Sequence, residues 1–264
     1  MRQFVLPSNY TGTPTLALQG TAFHYIVNVL RIREGERFPG LDPDGIPVEI
    51  ELLAVGPAEC TIAIRPAARD QRPTDGEETG TESSQATVHL TLFQCVPKGH
   101  RMDLIVRQAT ETGVATIVPV MSRHTVPRFD DRDWRNKADR WSRVMREAMQ
   151  QSGQRGIPRL EAPIDLAQVP SLWQSRGPGL LFHERPLAQE SLHGYLFRDT
   201  SEVALVIGPE GGFAQVETKL LMDAGFRTVY LGENVLRVET ATLFAIAAVR
   251  IVLLEKNRWK LTEK

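Results

Sequence analysis

Residues 203–250, VALVIGPEGGFAQVETKLLMDAGFRTVYLGENVLRVETATLFAIAAVR, constrain the fold of this chain more than any other stretch. Twice in them a glycine-bearing turn follows a short apolar run and precedes a helical pattern. The first is Gly208-Pro209-Glu210-Gly211-Gly212 after residues 203–207; the second is Leu231-Gly232-Glu233-Asn234-Val235-Leu236-Arg237 after residues 229–231. An unbroken apolar run of this length fits a strand buried on both faces. Both turns therefore belong at the carboxyl ends of parallel strands, where open α/β sheets bind ligands. Glycine and proline exclude helix from the first turn. Residues 215–224 then carry Val216, Leu220 and Leu221 at helical spacing and stop at Gly225. Beyond Gly232 the chain reads as irregular through Glu239, with Thr240 or Thr242 capping a helix over residues 243–254. That helix is apolar almost all round, which buries it in a core or a subunit interface. Its length and Arg250 exclude a membrane span.

The same alternation extends back to residue 88. Residues 88–96 read as a strand; Met102, Ile105, Val106 and Ala109 mark a helix ended by Gly113; residues 116–120 and 180–182 are further strands. Trp134, Ala138, Trp141, Met145 and Ala148 share one face of a longer helix, whose other face carries Arg135, Lys137, Arg140, Arg143 and Arg146. Repeated strand-helix units imply a parallel sheet covered on both faces. Residues 1–68 differ. They read as short strands at residues 3–6, 48–55 and 61–64, a turn at Asp42-Pro43-Asp44-Gly45 and one helical stretch at residues 22–30, a small, mostly β domain. Residues 69–86 are polar, acidic and rich in Gly, Ser, Thr and Pro, and read as a flexible linker. The domain division is thus 1–68, 69–86 and 87–264.

The net charge of −1 carries no whole-chain signal for nucleic acid, but residues 97–159 hold 13 Lys and Arg against 7 Asp and Glu. A basic middle on a neutral chain fits local contact with a polyanion; a solvated helix face fits the charge equally well. Cys60 and Cys95 stand far apart and form neither a disulfide framework nor a zinc site, and the six histidines lack metal-ligand spacing, so no metal is expected. The start, MRQFVLPSNY, lacks the apolar core of a signal peptide, and the expected location is the cytoplasm. The dinucleotide fingerprint G-x-G-x-x-G and the P-loop are both missing. GPEGG alone is a weak signal, because such turns often serve only tight packing. Two at neighbouring strand ends make a small-molecule pocket walled by main-chain groups the better reading.

Six segments, in order, carry a more specific signal: Lys98-Gly99-His100-Arg101-Met102-Asp103 with Gln108-Ala109-Thr110-Glu111-Thr112-Gly113; Gln151-Ser152-Gly153; Leu181-Phe182-His183-Glu184; Ile207 through the GPEGG turn to Phe213; and Leu236-Arg237-Val238-Glu239-Thr240-Ala241. With Arg2 and Asn28-Val29-Leu30-Arg31 they resemble, over nearly the whole chain, the RsmE family of the SPOUT superfamily, the 16S ribosomal RNA uracil-N3 methyltransferases. Val238 stands where that family commonly has a small or hydroxyl residue. The resemblance implies a PUA-like RNA-binding β-barrel at the N-terminus, a C-terminal α/β domain with a deep trefoil knot, S-adenosylmethionine as methyl donor, and a homodimer acting on 16S rRNA of the small ribosomal subunit. It also implies a cofactor site made of Leu181, Phe182, His183, Gly208, Pro209, Glu210, Gly211, Gly212, Leu231, Gly232, Asn234, Leu236, Arg237, Thr240 and Ala241.

Methylation at uracil N3 requires the ring N–H to lose its proton and the charge developing on O2 and O4 to be stabilised. A guanidinium is always charged and a planar donor, which makes Arg237 the first catalytic candidate. Its competing role is a salt bridge to Glu233 or Glu239. Glu210 and Glu239 lie in the same loops, and either serves as base if burial raises its pKa; positioning alone is the alternative. The arginine-rich helix face and the N-terminal domain, with Arg2, Arg31, Lys98, Arg101 and Arg123, form the expected RNA platform. Two other functions remain open at this level: a non-catalytic RNA-binding assembly factor with a vestigial pocket, and a nucleotide-binding α/β enzyme unrelated to RNA.

Overall fold

A computed structural model describes residues 4–7, 9–43, 45–67, 88–152, 158–196 and 201–258 of the 264-residue chain. Arg2, Gly153 and the linker expected at 69–86 lie outside the described residues. The chain divides into two compact units, residues 1–83 with 146–157, and residues 84–145 with 158–264. Residues 146–157, which the sequence reading assigns to the second domain, cluster with the first unit.

The first unit is a five-stranded sheet. Its elements are β1 (Phe4–Val5), β2 (Thr15–Gln19), α1 (Gly20–His24) continued by a π-helical turn (Tyr25–Leu30), β3 (Arg37–Leu41), β4 (Pro47–Val55) and β5 (Glu59–Pro66). The strand order is β1-β3-β4-β5-β2, antiparallel except for β1 against β3. Period-two alternation turns Val48, Ile50 and Leu52 of β4, with Cys60, Ile62 and Ile64 of β5, into one core with Phe4 and Ile26. The turn at Asp42 forms as expected, its carboxylate accepting the Ile46 N–H at 2.7 Å. Strand β3 escapes sequence reading because Pro39 and Gly40 argue against a strand. Glycine is needed there: a Cβ at Gly40 would lie 2.9 Å from the Phe4 carbonyl oxygen.

The second unit alternates strand and helix: β6 (His89–Cys95), α2 (Arg101–Glu111), β7 (Thr116–Met121), α3 (Asp131–Ser152, whose residues from 146 onward count with the first unit), β8 (Arg159–Leu160), β9 (Ile164–Asp165), α4 (Val169–Trp173), β10 (Gly179–His183), α5 (Leu192–Tyr195), β11 (Glu202–Ile207), α6 (Gln215–Asp223), β12 (Arg227–Tyr230) and α7 (Val238–Arg258). The strands form one parallel sheet in the order β12-β10-β11-β6-β7-β8, with β9 beside β7. All five residues of β10 are buried, as are all of β11 after Glu202. Such strands read as apolar runs because helices cover both faces. Arg250, which interrupts the apolar pattern of α7, donates to the carbonyl of Gly113 just past the end of α2.

One boundary moves. Helix α7 begins at Val238, so Glu239 and Thr240 lie in its first turn and Thr242 lies within it. Thr242 is not a cap; its buried hydroxyl stands 2.8 Å from the Val238 carbonyl and 2.7 Å from the side-chain oxygen of Gln94. Among the described residues no helix is long and apolar enough to cross a membrane.

Candidate cofactor pocket

The turns after β11 and β12 do not flank neighbouring strands, because β10 runs between them. Three strand ends therefore converge. A cavity of about 280 Å3 opens there, lined among others by Phe182, His183, Ile207, Gly208, Phe213, Leu231, Leu236 and Ala241. That is near the lower end of the about 300–1,000 Å3 typical of small-molecule sites. The walls are largely apolar, with main-chain N–H and C=O groups from the glycine turns and carboxylates from Glu184 and Glu210. Gly212 has φ +65°, which side-chain-bearing residues rarely adopt, and a Cβ there would stand 3.4 Å from the Glu184 carboxylate. The imidazole of His124, from the loop after β7, donates through Nδ1 to the Gly211 and Gly212 carbonyls at 3.0 and 3.2 Å.

Of the fifteen cofactor candidates, twelve line this cavity: Phe182, His183, Gly208, Pro209, Glu210, Gly211, Gly212, Leu231, Gly232, Asn234, Leu236 and Ala241. Leu181, Arg237 and Thr240 do not. Leu181 points to the opposite sheet face from Phe182 and is wholly buried with Phe93, Val206 and Phe226. Thr240 is turned outward because the early start of α7 puts Val238 and Ala241, three residues apart, on the pocket side. Val235, 92% exposed at the tip of the second loop, also borders the cavity, as do Ile207, Phe213 and Val238. None of these four stood among the cofactor candidates; His124 carried no sequence signal either.

The electrostatics separate the catalytic candidates. Glu210 accepts the Lys98 N–H at 3.0 Å and pairs with the Arg101 guanidinium. Burial pushes its carboxyl up, but its own N–H, the Lys98 N–H and Arg101 outweigh this and hold it below the usual carboxylate value. A base at this position needs a raised pKa, and the surroundings of Glu210 act in the opposite direction. Glu239 faces the same cation, with Oε2 3.7 Å from Arg101 Nε. Arg237 is exposed, and among the described residues its guanidinium has no carboxylate partner; the alternative bridge to Glu239 is taken by Arg101. His183 is buried, and its Nδ1 accepts the Arg185 N–H at 3.0 Å. Burial pulls its pKa below the usual value against the opposing charge of Glu184, with Arg185 reinforcing the shift, which leaves the ring neutral.

The RNA candidates fare unequally. Arg31 is exposed in the first unit, with φ 58° just past the π-helical turn. Lys98 and Arg123 are exposed, and each uses its backbone N–H to hold a glutamate, Glu210 and Glu217. Arg101 instead spends its guanidinium on two carboxylates. On α3, Arg135 and Arg143 are exposed, whereas Arg140 is bonded to Asp103. Among the described residues no group of His, Cys, Asp and Glu is placed to hold a metal ion.

Comparison with known proteins bears on this pocket. The RNA methyltransferase domain family matches residues 84–250, which contain every strand end that forms it. The ribosomal RNA small subunit methyltransferase E of Bacillus subtilis is 26% identical over 241 residues, covering 89% of this chain and 90% of the relative. That of Synechocystis is 30% identical over 246 residues, covering 90% and 74%. The crystal structure of a ribosomal RNA small subunit methyltransferase E from Neisseria gonorrhoeae bound to S-adenosyl methionine superposes with a TM-score of 0.73 at 27% identity, covering 96% of this chain and 98% of that one. By its second unit and by its near full-length likeness to these relatives, the chain belongs to the RNA methyltransferase family, in its ribosomal RNA small subunit methyltransferase E branch.

Proposed function

We propose that this protein transfers a methyl group from S-adenosylmethionine to N3 of one uridine in 16S rRNA of the small ribosomal subunit, in the cytoplasm. The observation that carries the reading is the cavity where the ends of β10, β11 and β12 meet, with its apolar walls and glycine-lined main chain. Adenine suits such a site, because its edge is read by backbone N–H and C=O groups and its faces by Phe182, Phe213, Leu231 and Leu236. The carboxylates of Glu184 and Glu210 suit the hydroxyl and cationic groups of the same molecule. When bound, this cofactor supplies an electrophilic methyl carbon.

The chain's part is to orient the base and stabilise its anion. Arg237, exposed directly before α7, would donate to O2 or O4 of a uracil turned out of its stack, lowering the cost of losing the N3 proton. Positioning of the methyl group against a uracil already partly deprotonated needs no dedicated base; Glu239, which faces Arg101, is the alternative acceptor for that proton. Arg31, Lys98, Arg123 and the exposed arginines of α3 hold phosphate in a salt-dependent way.

The same resemblance supports three structural proposals: a PUA-like barrel in residues 1–68, a deep trefoil knot in the second unit, and a homodimer. Physical support for the last is the exposed apolar row Phe244, Ile251 and Leu254 on α7.

Calorimetric titration with S-adenosylmethionine, with NADH and ATP as controls, tests the pocket. Methylation of small subunits lacking the mark tests the reaction. Selective donor binding with methyl incorporation is expected, and Arg237→Ala is expected to keep the binding and lose most of the incorporation. Donor binding without incorporation would favour an assembly factor with a vestigial pocket.

A further inference from the structure

We propose that Arg101 is a positioning residue that sets the spacing of the two cofactor loops, holding Glu210 and Glu239 with one guanidinium; the proposal rests on the methyl-donor reading of the pocket. The loops follow β11 and β12, and β10 separates those strands, so no strand pairing ties one loop to the other. Glu210 is part of the first loop and lines the cavity. Glu239 lies in the first turn of α7, directly after the second loop and next to the pocket-lining Val238. Arg101 comes from a third place, the first turn of α2. Its Nη1 pairs with Glu210 Oε1, and its Nε lies 3.7 Å from Glu239 Oε2.

Two details give this arrangement a direction. The Lys98 N–H donates to the same Glu210 oxygen at 3.0 Å, so the turn entering α2 grips that carboxylate twice. Glu239 Oε2 is buried and has no hydrogen-bond partner among the described residues, which leaves Arg101 as its compensating charge. A buried carboxylate oxygen deprived of its cation seeks water or another donor, and α7 and the second loop would shift with it. A planar guanidinium serves two carboxylates through different edges, which a lysine ammonium, a point charge on a flexible stem, does not. The Arg101–Glu210 pair adds little to stability, because both side chains are partly exposed, at 42% and 28%, so what Arg101 secures for the fold is chiefly Glu239, which is 15% exposed.

The test uses the full chain as wild type, Arg101→Ala, Arg101→Lys, Glu210→Gln and the Arg101→Ala/Glu210→Gln double variant. Each is titrated with S-adenosylmethionine, its ligand-free thermal unfolding is followed, and its binding to a uridine-rich single-stranded oligonucleotide is measured. Arg101→Ala is expected to weaken donor binding at least about tenfold, about 1.4 kcal/mol, with a lowered unfolding temperature from the uncompensated Glu239, whereas Glu210→Gln leaves the unfolding temperature nearly unchanged. Arg101→Lys recovers part of the loss. The double variant binds no more weakly than the poorer single variant, because both changes open the same clamp. Should Arg101→Ala not fold, Arg101→Lys and Glu210→Gln carry the same comparison. Wild-type donor affinity in Arg101→Ala with loss confined to the oligonucleotide, or full additivity in the double variant, would overturn the proposal and return Arg101 to the RNA surface. A wild-type protein that does not bind the donor would remove the methyl-donor reading and the clamp together.

Discussion

Thr242→Val removes a single hydroxyl from the joint between α7 and β6. Thr242 is 1% exposed and Gln94 is fully buried. The threonine hydroxyl lies 2.7 Å from Gln94 Oε1, while Gln94 Nε2 donates to the Cys95 carbonyl at 2.9 Å. Valine preserves the shape, so no cavity term arises, but Gln94 Oε1 loses its donor in a place water does not reach. A buried acceptor left unsatisfied costs about 1–3 kcal/mol. Taking about 2 kcal/mol, and about 2–4 °C per kcal/mol for a chain approaching this size, the unfolding temperature should fall by about 4–8 °C. Urea denaturation should show a lower midpoint at unchanged slope. Thr242→Ser keeps the hydroxyl and loses only a methyl, about 0.8 kcal/mol of burial, and should fall less. A Thr242→Val protein as stable as wild type, or a serine variant as unstable as the valine one, refutes the view that this hydrogen bond secures α7 behind the second loop.

Two further outcomes follow from the site. His183 has a folded pKa below its usual 6.5, so the unfolded chain takes up the proton first. Its contribution to stability is complete above pH 6.5 and is lost as pH falls below that value towards the folded pKa. In thermal unfolding from pH 8 to 5, His183→Asn, which keeps an acceptor for the Arg185 N–H, should flatten the decline; an unchanged slope counts against His183 as its source. On α7, Phe244 is 52% and Ile251 50% exposed. The proposed dimer predicts that the wild type sediments as a dimer and Phe244→Asp/Ile251→Asp as a monomer; a monomeric wild type refutes the dimer, and a variant that stays dimeric places the interface elsewhere.

The local sequence determined which segments became the longer strands of the second unit and where the glycine turns fell, whereas β8 and β9, two residues each, offered no apolar run to read. Apolar runs such as residues 203–207 have no stable place except a sheet covered on both faces, and Gly208-Pro209 and Gly211-Gly212 permit nothing regular between strand and helix. Twelve cofactor candidates line the cavity because the motifs fall at strand ends, and strand ends converge in a parallel sheet. Other features were settled only once the chain had folded. Strand order is a long-range property, so nothing local disclosed that β10 runs between β11 and β12 and completes the pocket. The side a residue faces depends on where its element begins: the start of α7 at Val238 turned Ala241 inward and Thr240 outward, while the pleat of β10 sent Leu181 into the core. Charge is the least local property of all. Glu210, Arg101 and Glu239 are more than a hundred residues apart at the extremes. Their meeting turned a candidate base into an ion-paired carboxylate with a lowered pKa, and a candidate RNA contact into the partner of two acids.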